Sequence, residues 1–225
     1  MKILSIDIGI VNLGYVLADI NTNINLEEHF NDGKFSKLII KLNKNRKELF
    51  SDGIKQILLN NIVINECDRV DITNVKHSFV PRHICKLHHD FCIPDYLDHF
   101  VQEKRSMFES AEIILLERQP PTGITNVQDL LFSRFRDKVF LVSPNTIHRY
   151  FGLPKDYSFR KMESEKLSID FLKHFVKFND NIRKHDISDS LLMLLHYHHQ
   201  KIIDYTNSIV TNEIKRVTDF EKFRL

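Results

Sequence analysis

Two short apolar runs in this chain each end on an acidic residue. KILSID closes on Asp7 and EIILLE closes on Glu117. Runs of this length, bounded by turn signals such as the QPPTG that follows Glu117, are typical of buried strands. Each carboxylate is therefore expected at the mouth of a strand, although an acid in that position is often only a strand end that meets water.

The order of the remaining patterns predicts an α/β fold. KILSIDI and LGYVLADI are typical of two strands joined by a turn between Gly9 and Gly14, and KFSKLIIKL is a candidate third strand. A loosely helical segment, interrupted by Gly53, covers about 45–60. Farther along, the amphipathic pattern PDYLDHFVQEKRSMFESAE leads into EIILLE, and the helical pattern TNVQDLLFSRF, capped by Thr125, leads into KVFLVSP. A longer helix, SEKLSIDFLKHFVKF, precedes the last one, so we expect a mixed sheet flanked by helices.

Two further acids lie at the start of the last predicted helix, KHDISDSLLMLLHYHH. Asp186 and Asp189 are three residues apart, and side chains at that spacing share one face of a helix. Considered alone, they are an N-cap and a first-turn acid favoured by the helix dipole. Together with Asp7 and Glu117, they indicate a cluster of carboxylates that binds a metal ion.

Composition sets wider limits. The chain has 225 residues, of which 42% are hydrophobic and 28% charged, as expected for a soluble protein with one sizeable core and a small inserted module. Its net charge of +2 allows nucleic-acid binding without requiring it. Three cysteines indicate a reducing compartment rather than a disulfide framework. We see neither a secretory signal nor a membrane-spanning run, and expect an intracellular, soluble protein with no membrane partner.

The stretch 61–93 gathers all three cysteines and four histidines, and predicts a possible structural zinc module. Zinc bound by thiolates and imidazoles can fold a small segment that has little core of its own. Against this interpretation, the stretch contains no double CxxC motif. A closed four-ligand site would brace an insertion rather than carry chemistry. The candidate ligands are Cys67, Cys85, His88 and Cys92, with His77 and His89 as alternates.

Four motifs carry a resemblance to a known family. DIGIVNLGYV, LLERQPP, VSPN and HDISDSLLM, in this order, closely resemble the RuvC-like Holliday junction resolvases of poxviruses and other large DNA viruses. The resemblance runs from Lys2 to about Tyr197, and LLERQPP is its most specific element. It implies an RNase H-like domain interrupted by a Cys/His-rich insertion at 61–93. Because the residues after Tyr205 are polar and weakly periodic, we assign the domain to 1–205 and a tail to 206–225. The resemblance further implies a homodimer that nicks four-way DNA junctions in pairs, at a cytoplasmic replication site or in the nucleus of a host cell.

The resemblance also implies roles for single residues. The metal-binding acids would be Asp7, Glu117, Asp186 and Asp189, with Mg²⁺ or Mn²⁺ as the ion, and SFRKMESEK offers Lys161 first and Lys166 second as the family's lysine. Converging carboxylates repel one another unless a hard cation is bound, and two ions about 4 Å apart suit phosphodiester hydrolysis by water. A lysine beside the phosphate would stabilise transition-state charge. From the residues themselves, Arg118 and Gln119 are candidates to brace Glu117 or contact DNA, although simple packing behind the site explains them equally well. A basic cluster is a candidate for binding backbone phosphates, although each of its residues alone is more typical of a solvated helix end: Lys41, Lys44, Arg46 and Lys47.

Three other classes of protein compete with this interpretation. A different nuclease on the same fold, such as an RNase H or an exonuclease, would share the acids but cut another nucleic acid. An ATP-binding enzyme of the actin and sugar-kinase type also opens with a strand, an Asp and a glycine turn, but the six glycines here form no phosphate loop. A zinc-braced, non-catalytic DNA-binding protein would use the acids only as surface residues.

Overall fold

The computed structural model of the protein describes residues 1–10, 12–21, 52–73, 92–123 and 125–222. Within these ranges the strands are β1 (Lys2–Ile8), β2 (Asn12–Ile20), β3 (Ile62–Asp71), β4 (Ile113–Glu117) and β5 (Val139–Val142). The helices are α1 (Asp52–Asn61), α2 (Ile93–Glu103), α3 (Arg105–Ser110), α4 (Asn126–Arg134), α5 (Pro144–Phe151), α6 (Tyr157–Leu172), α7 (Val176–Asn179) and α8 (Lys184–Lys222).

The strands form one mixed sheet in the order β3-β2-β1-β4-β5. The pairs β1/β2 and β2/β3 are antiparallel, whereas β1/β4 and β4/β5 are parallel. Because β1 and β4 run in the same direction with Ile6 opposite Leu116, their last residues lie at the same edge of the sheet. The predicted α/β fold with a mixed, helix-flanked sheet is confirmed.

Each face of the sheet has its own hydrophobic core. Leu4 and Ile6 of β1 pack with α2, α3 and α4 on one face, while Ile3 belongs to the core that includes α5, α6 and α8. Side chains alternate between the two faces of a strand, so Asp7 lies on the same face as Ile3. Glu117 shares that face with Leu115. Both acids of the first motif therefore lie on the side covered by α8.

Helix α8 crosses β2 at very short range. A Cβ atom added to Gly14 would lie 2.1 Å from the backbone oxygen of Asp186, which is far closer than two such atoms can approach. Glycine is required there because the helix backbone lies directly over the strand. We expected Gly14 to permit the tight turn between the first two strands. In the structure it also leaves room for the backbone of α8.

Several boundaries differ from the sequence-based predictions. The amphipathic helix before β4 is divided into α2 and α3 at Lys104, whose ammonium group lies 2.5 Å from Glu66 of β3. The helix before α8 ends at Leu172 and is followed by the short α7. The tail predicted for 206–225 continues α8 to Lys222. The Lys104–Glu66 contact joins segments far apart in the sequence, which local periodicity does not report. The candidate strand KFSKLIIKL lies outside the described residues.

The predicted insertion at 61–93 overlaps the sheet. Its first part forms β3, which pairs with β2 from Ile62 opposite Ile20 to Asp71 opposite Asn12. Residues 74–91, which hold most of the candidate zinc ligands, lie outside the described residues. In the described part of the chain, no helix is both long enough and apolar enough to cross a membrane.

Candidate active site

Two carboxyl groups meet at the edge of the sheet where β1 and β4 end. Asp7 and Glu117 are close enough to share a hydrogen bond. Burial raises the pKa of Asp7 well above its ordinary value, and the negative charges of Glu117 and Asp189 raise it further. Burial, with a contribution from Asp189, also raises the pKa of Glu117. The pair therefore retains a proton at pH values where ordinary carboxyl groups have lost theirs.

A lysine completes this group from another helix. Lys161 of α6 hydrogen-bonds through Nζ to Oδ2 of Asp189, and its side chain is only 19% exposed. Burial lowers the pKa of Lys161, but the carboxylates of Asp189 and Asp7 outweigh that effect and hold the pKa above its ordinary value. Lys166 is 74% exposed and lies 3.6 Å from Glu163. Of the two candidate lysines, the structure brings only Lys161 to the acids.

Ser190 and Gln119 fix the positions of the acids. The Ser190 hydroxyl accepts a 3.0 Å hydrogen bond from the backbone N–H of Asp7 and donates one of 2.6 Å to the carbonyl of Gly14. The side-chain amide of Gln119 donates to Glu117 Oε2 at 2.9 Å and to the carbonyl of Ile8 at 2.7 Å. Gln119 thus braces Glu117, one of the two roles expected for it, whereas Ser190 was missed. The sequence feature that could have identified Ser190 is its position directly after Asp189 in HDISDS.

Asp186 has different partners from the other three acids. Its carboxylate is buried and accepts hydrogen bonds from Arg183, with Nε at 2.9 Å and Nη2 at 3.3 Å. Arg69 Nε lies 3.3 Å from Oδ2, and His185 Nε2 lies 3.2 Å from Oδ1. The hydrogen bond to Asp186 also raises the pKa of Arg183. Helix spacing predicted that Asp186 and Asp189 share one face and bind a metal ion together, but two arginines engage Asp186 and a lysine engages Asp189.

The donor set fits a hard divalent cation. Asp7, Glu117 and Asp189 offer only carboxylate oxygens, which Mg²⁺ and Mn²⁺ prefer. Burial first, and then the charges of neighbouring acids, raise the pKa values of Asp7 and Glu117, and a bound cation would counter both effects. No group of three or more His, Cys, Asp or Glu side chains within the described ranges already has the spacing of a metal centre.

The described part of the predicted zinc module offers two cysteines. Cys67 lies in β3 within the apolar core, where burial, followed by the charges of Asp68 and Glu66, raises the pKa of its thiol to about 12. Zinc binds the thiolate, so this environment opposes the ligand role predicted for Cys67. Cys92 is exposed directly before α2. The other candidate zinc ligands and the basic residues expected to bind phosphate lie outside the described residues: His77, Cys85, His88, His89, Lys41, Lys44, Arg46 and Lys47.

Comparison with known proteins identifies the fold. No family model matches the sequence, and no curated protein matches it. The crystal structure of fowlpox virus resolvase with its substrate Holliday junction DNA aligns with a TM-score of 0.51 and 16% identity, over 89% of this chain and 98% of that one. This chain has the fold of the fowlpox virus resolvase. The fowlpox virus Holliday junction resolvase solved by itself gives the same TM-score, with 15% identity over 89% of this chain and 99% of that one. Thermus thermophilus RuvC gives a TM-score of 0.45 and 10% identity, over 90% and 96% of the two chains.

Proposed function

We propose that this protein is a divalent-metal-dependent endodeoxyribonuclease that resolves four-way DNA junctions by paired, symmetric cuts. One observation carries the proposal. Asp7, Glu117 and Asp189 come from three separate elements, and Lys161 from a fourth joins them through Asp189. A partly buried cluster of acids with one lysine matches the needs of phosphodiester hydrolysis. It stands on a fold shared with a resolvase whose crystal structure contains its substrate Holliday junction.

Mg²⁺ or Mn²⁺ would be held by Asp7, Glu117 and Asp189. Such an ion, when bound, lowers the pKa of water and stabilises the charge on the leaving oxygen. Asp186 would join these ligands only on releasing the arginines that now engage it. Gln119 and Ser190 would keep the ligands oriented, because one binds the side chain of Glu117 and the other binds the backbone of Asp7.

The protein's own groups account for the remaining chemistry. Asp7 and Glu117 must lose their shared proton before they can bind a cation, so their raised pKa values make activity rise with pH. Lys161 keeps its positive charge in the site and would stabilise the extra negative charge that forms on the phosphate oxygens. The attacking group would be water, with no covalent enzyme intermediate.

We propose that the enzyme acts on branched DNA as a homodimer within the replication or recombination of a large DNA virus. The order of the four family motifs supports this context. A two-fold dimer places two identical sites on a junction whose cuts come in pairs. Light scattering at micromolar protein concentration tests the dimer directly, since a monomeric mass with and without DNA would contradict it.

The decisive experiment compares substrates. A labelled four-way junction, a linear duplex and an RNA–DNA hybrid are incubated with Mg²⁺ or with chelator, using the wild type and Asp7→Asn. We expect paired symmetric nicks in the junction alone, lost with chelator and in the variant. Cleavage of the hybrid or of the duplex instead would assign the site to another nuclease of this fold. No cleavage of any substrate would favour a non-catalytic DNA-binding protein.

A further inference from the structure

An aromatic ring stands at the rim of the carboxylate cluster. Tyr157, the first residue of α6, is 57% exposed. The guanidinium carbon of Arg160 and the ammonium nitrogen of Lys161 each lie 5.5 Å from the centre of its ring. Since Lys161 also contacts Asp189, a single side chain separates the ring from the acids.

The first turn of α6 holds this ring in place. Asp156 caps the helix, because its side chain accepts a 3.0 Å hydrogen bond from the backbone N–H of Phe159. The guanidinium of Arg160 donates to the carbonyl of Lys155 at 3.1 Å. Tyr157 is therefore presented by a capped helix end. Its ring is oriented before any ligand arrives, which reduces the entropy lost on binding.

The surroundings of Tyr157 indicate the kind of ligand it suits. More than half of its surface is exposed, although two cations lie beside it and the acid cluster lies next to them. Aromatic rings flanked by positive groups bind nucleic acids, because bases stack on the ring while phosphates contact the cations. The ring of Tyr157 is therefore separated only by Lys161 from the acids that would cut the phosphate.

We propose that Tyr157 stacks on a base beside the scissile phosphate and that Arg160 contacts a neighbouring phosphate. The stacked base would have to leave its helical stack, which costs least where strands cross and base stacking is already broken. Tyr157 would thereby favour branched DNA over a continuous duplex. This inference rests on the proposed function and adds a residue that selects the substrate.

Phe159 provides a matched control on the same helix. It is 61% exposed, but two residues after Tyr157 it faces a different side of α6. We would compare Tyr157→Leu, Tyr157→Phe and Phe159→Leu in an Asp7→Asn background, which leaves the DNA intact in Mg²⁺. Affinity for a four-way junction would be measured by fluorescence anisotropy. A fluorescent 2-aminopurine base, placed in turn on either side of the cut position, would report stacking.

The expected result separates the ring from its hydroxyl group. Tyr157→Leu should weaken junction binding by about 5- to 150-fold, the range measured for loss of one base-stacking contact. It should also restore 2-aminopurine emission at one position. Tyr157→Phe and Phe159→Leu should stay within about twofold of the parent, and all the variants should melt near the parent temperature.

Other outcomes overturn the inference in distinguishable ways. If Tyr157→Leu lowers the cleavage rate in the otherwise wild-type enzyme but leaves affinity and 2-aminopurine emission unchanged, the ring acts only by holding Lys161. If wild type cuts the junction and Tyr157→Leu matches it in every measurement, this inference fails while the proposed function stands. If wild type neither binds nor cuts the junction, both fail.

Discussion

Asp7→Asn should make the metal-free protein more stable while abolishing cleavage. In the wild type, Asp7 and Glu117 face each other in a partly buried position beside Asp189. Asparagine has nearly the same size as aspartate. Its side-chain amide would donate a hydrogen bond to Glu117, whereas the carboxylate of Asp7 repels Glu117. The hydrogen bond from the backbone N–H of residue 7 to Ser190 involves no side-chain atom of Asp7 and would remain.

The direction of the pH dependence follows from the raised pKa values. A carboxyl group whose pKa is higher in the folded than in the unfolded chain favours folding at low pH, and that contribution is lost as pH rises through the folded-state value. The wild type should therefore lose stability relative to Asp7→Asn as the pH increases. A single stabilising substitution commonly contributes about 0.5–2 kcal/mol. For a chain of this length, that corresponds to a melting temperature about 1–8 °C higher at pH 8.

Calorimetry in chelator from pH 4.5 to pH 9 measures this difference. Subtracting wild type from variant at each pH cancels the titration of groups that both proteins share. Asp137→Asn, which changes an exposed acid before β5, is the control and should leave the melting temperature unchanged. Added Mg²⁺ should stabilise the wild type but not Asp7→Asn. If Asp7→Asn is less stable than wild type at every pH from 4.5 to 9, Asp7 and Glu117 do not repel each other, and the argument for a metal site there fails.

Three further predictions concern residues around the pair. Lys161→Ala should slow single-turnover junction cleavage by roughly 10²- to 10³-fold. Lys166 is exposed, so Lys166→Ala should change the cleavage rate less than about threefold. Equal effects of the two substitutions would contradict the catalytic role of Lys161. Asp186→Asn should lower the free energy of unfolding by about 1.5–3 kcal/mol, because Arg183 and Arg69 lose their charged partner. Denaturant titration would measure this loss, which is opposite in sign to the stabilisation expected for Asp7→Asn. An Asp186→Asn variant more stable than wild type would contradict the arginine contacts. Gly14→Ala should destabilise the fold by at least about 3 kcal/mol, since its Cβ meets the helix backbone at 2.1 Å, and an unchanged denaturation midpoint would disprove that close approach.

Local patterns in the sequence were sufficient to predict most of the regular structure. KILSIDI and EIILLE form β1 and β4, and the acid that ends each run lies at the shared edge of the sheet. The strand β3 was missed because NECDRVD carries few apolar residues, and its charged side chains are accommodated by tertiary contacts such as Lys104 with Glu66. Hydrophobic periodicity reports how a segment faces a core, so it detects a buried apolar strand better than a polar one.

The sequence by itself determined which residue types were available: acids at two strand ends, two acids three apart on a helix, and two lysines in one basic stretch. Only the tertiary structure decided how they were used. Folding pairs Lys161 with Asp189, and it places Arg69 of β3 and Arg183, just before α8, beside Asp186. It also packs α8 against Gly14, so that Ser190 can hydrogen-bond to β1. The physical reason is the range of the interactions. Spacing along a helix or strand sets which side chains share a face, whereas a charge takes as its partner whichever group the folded chain brings within a few ångströms.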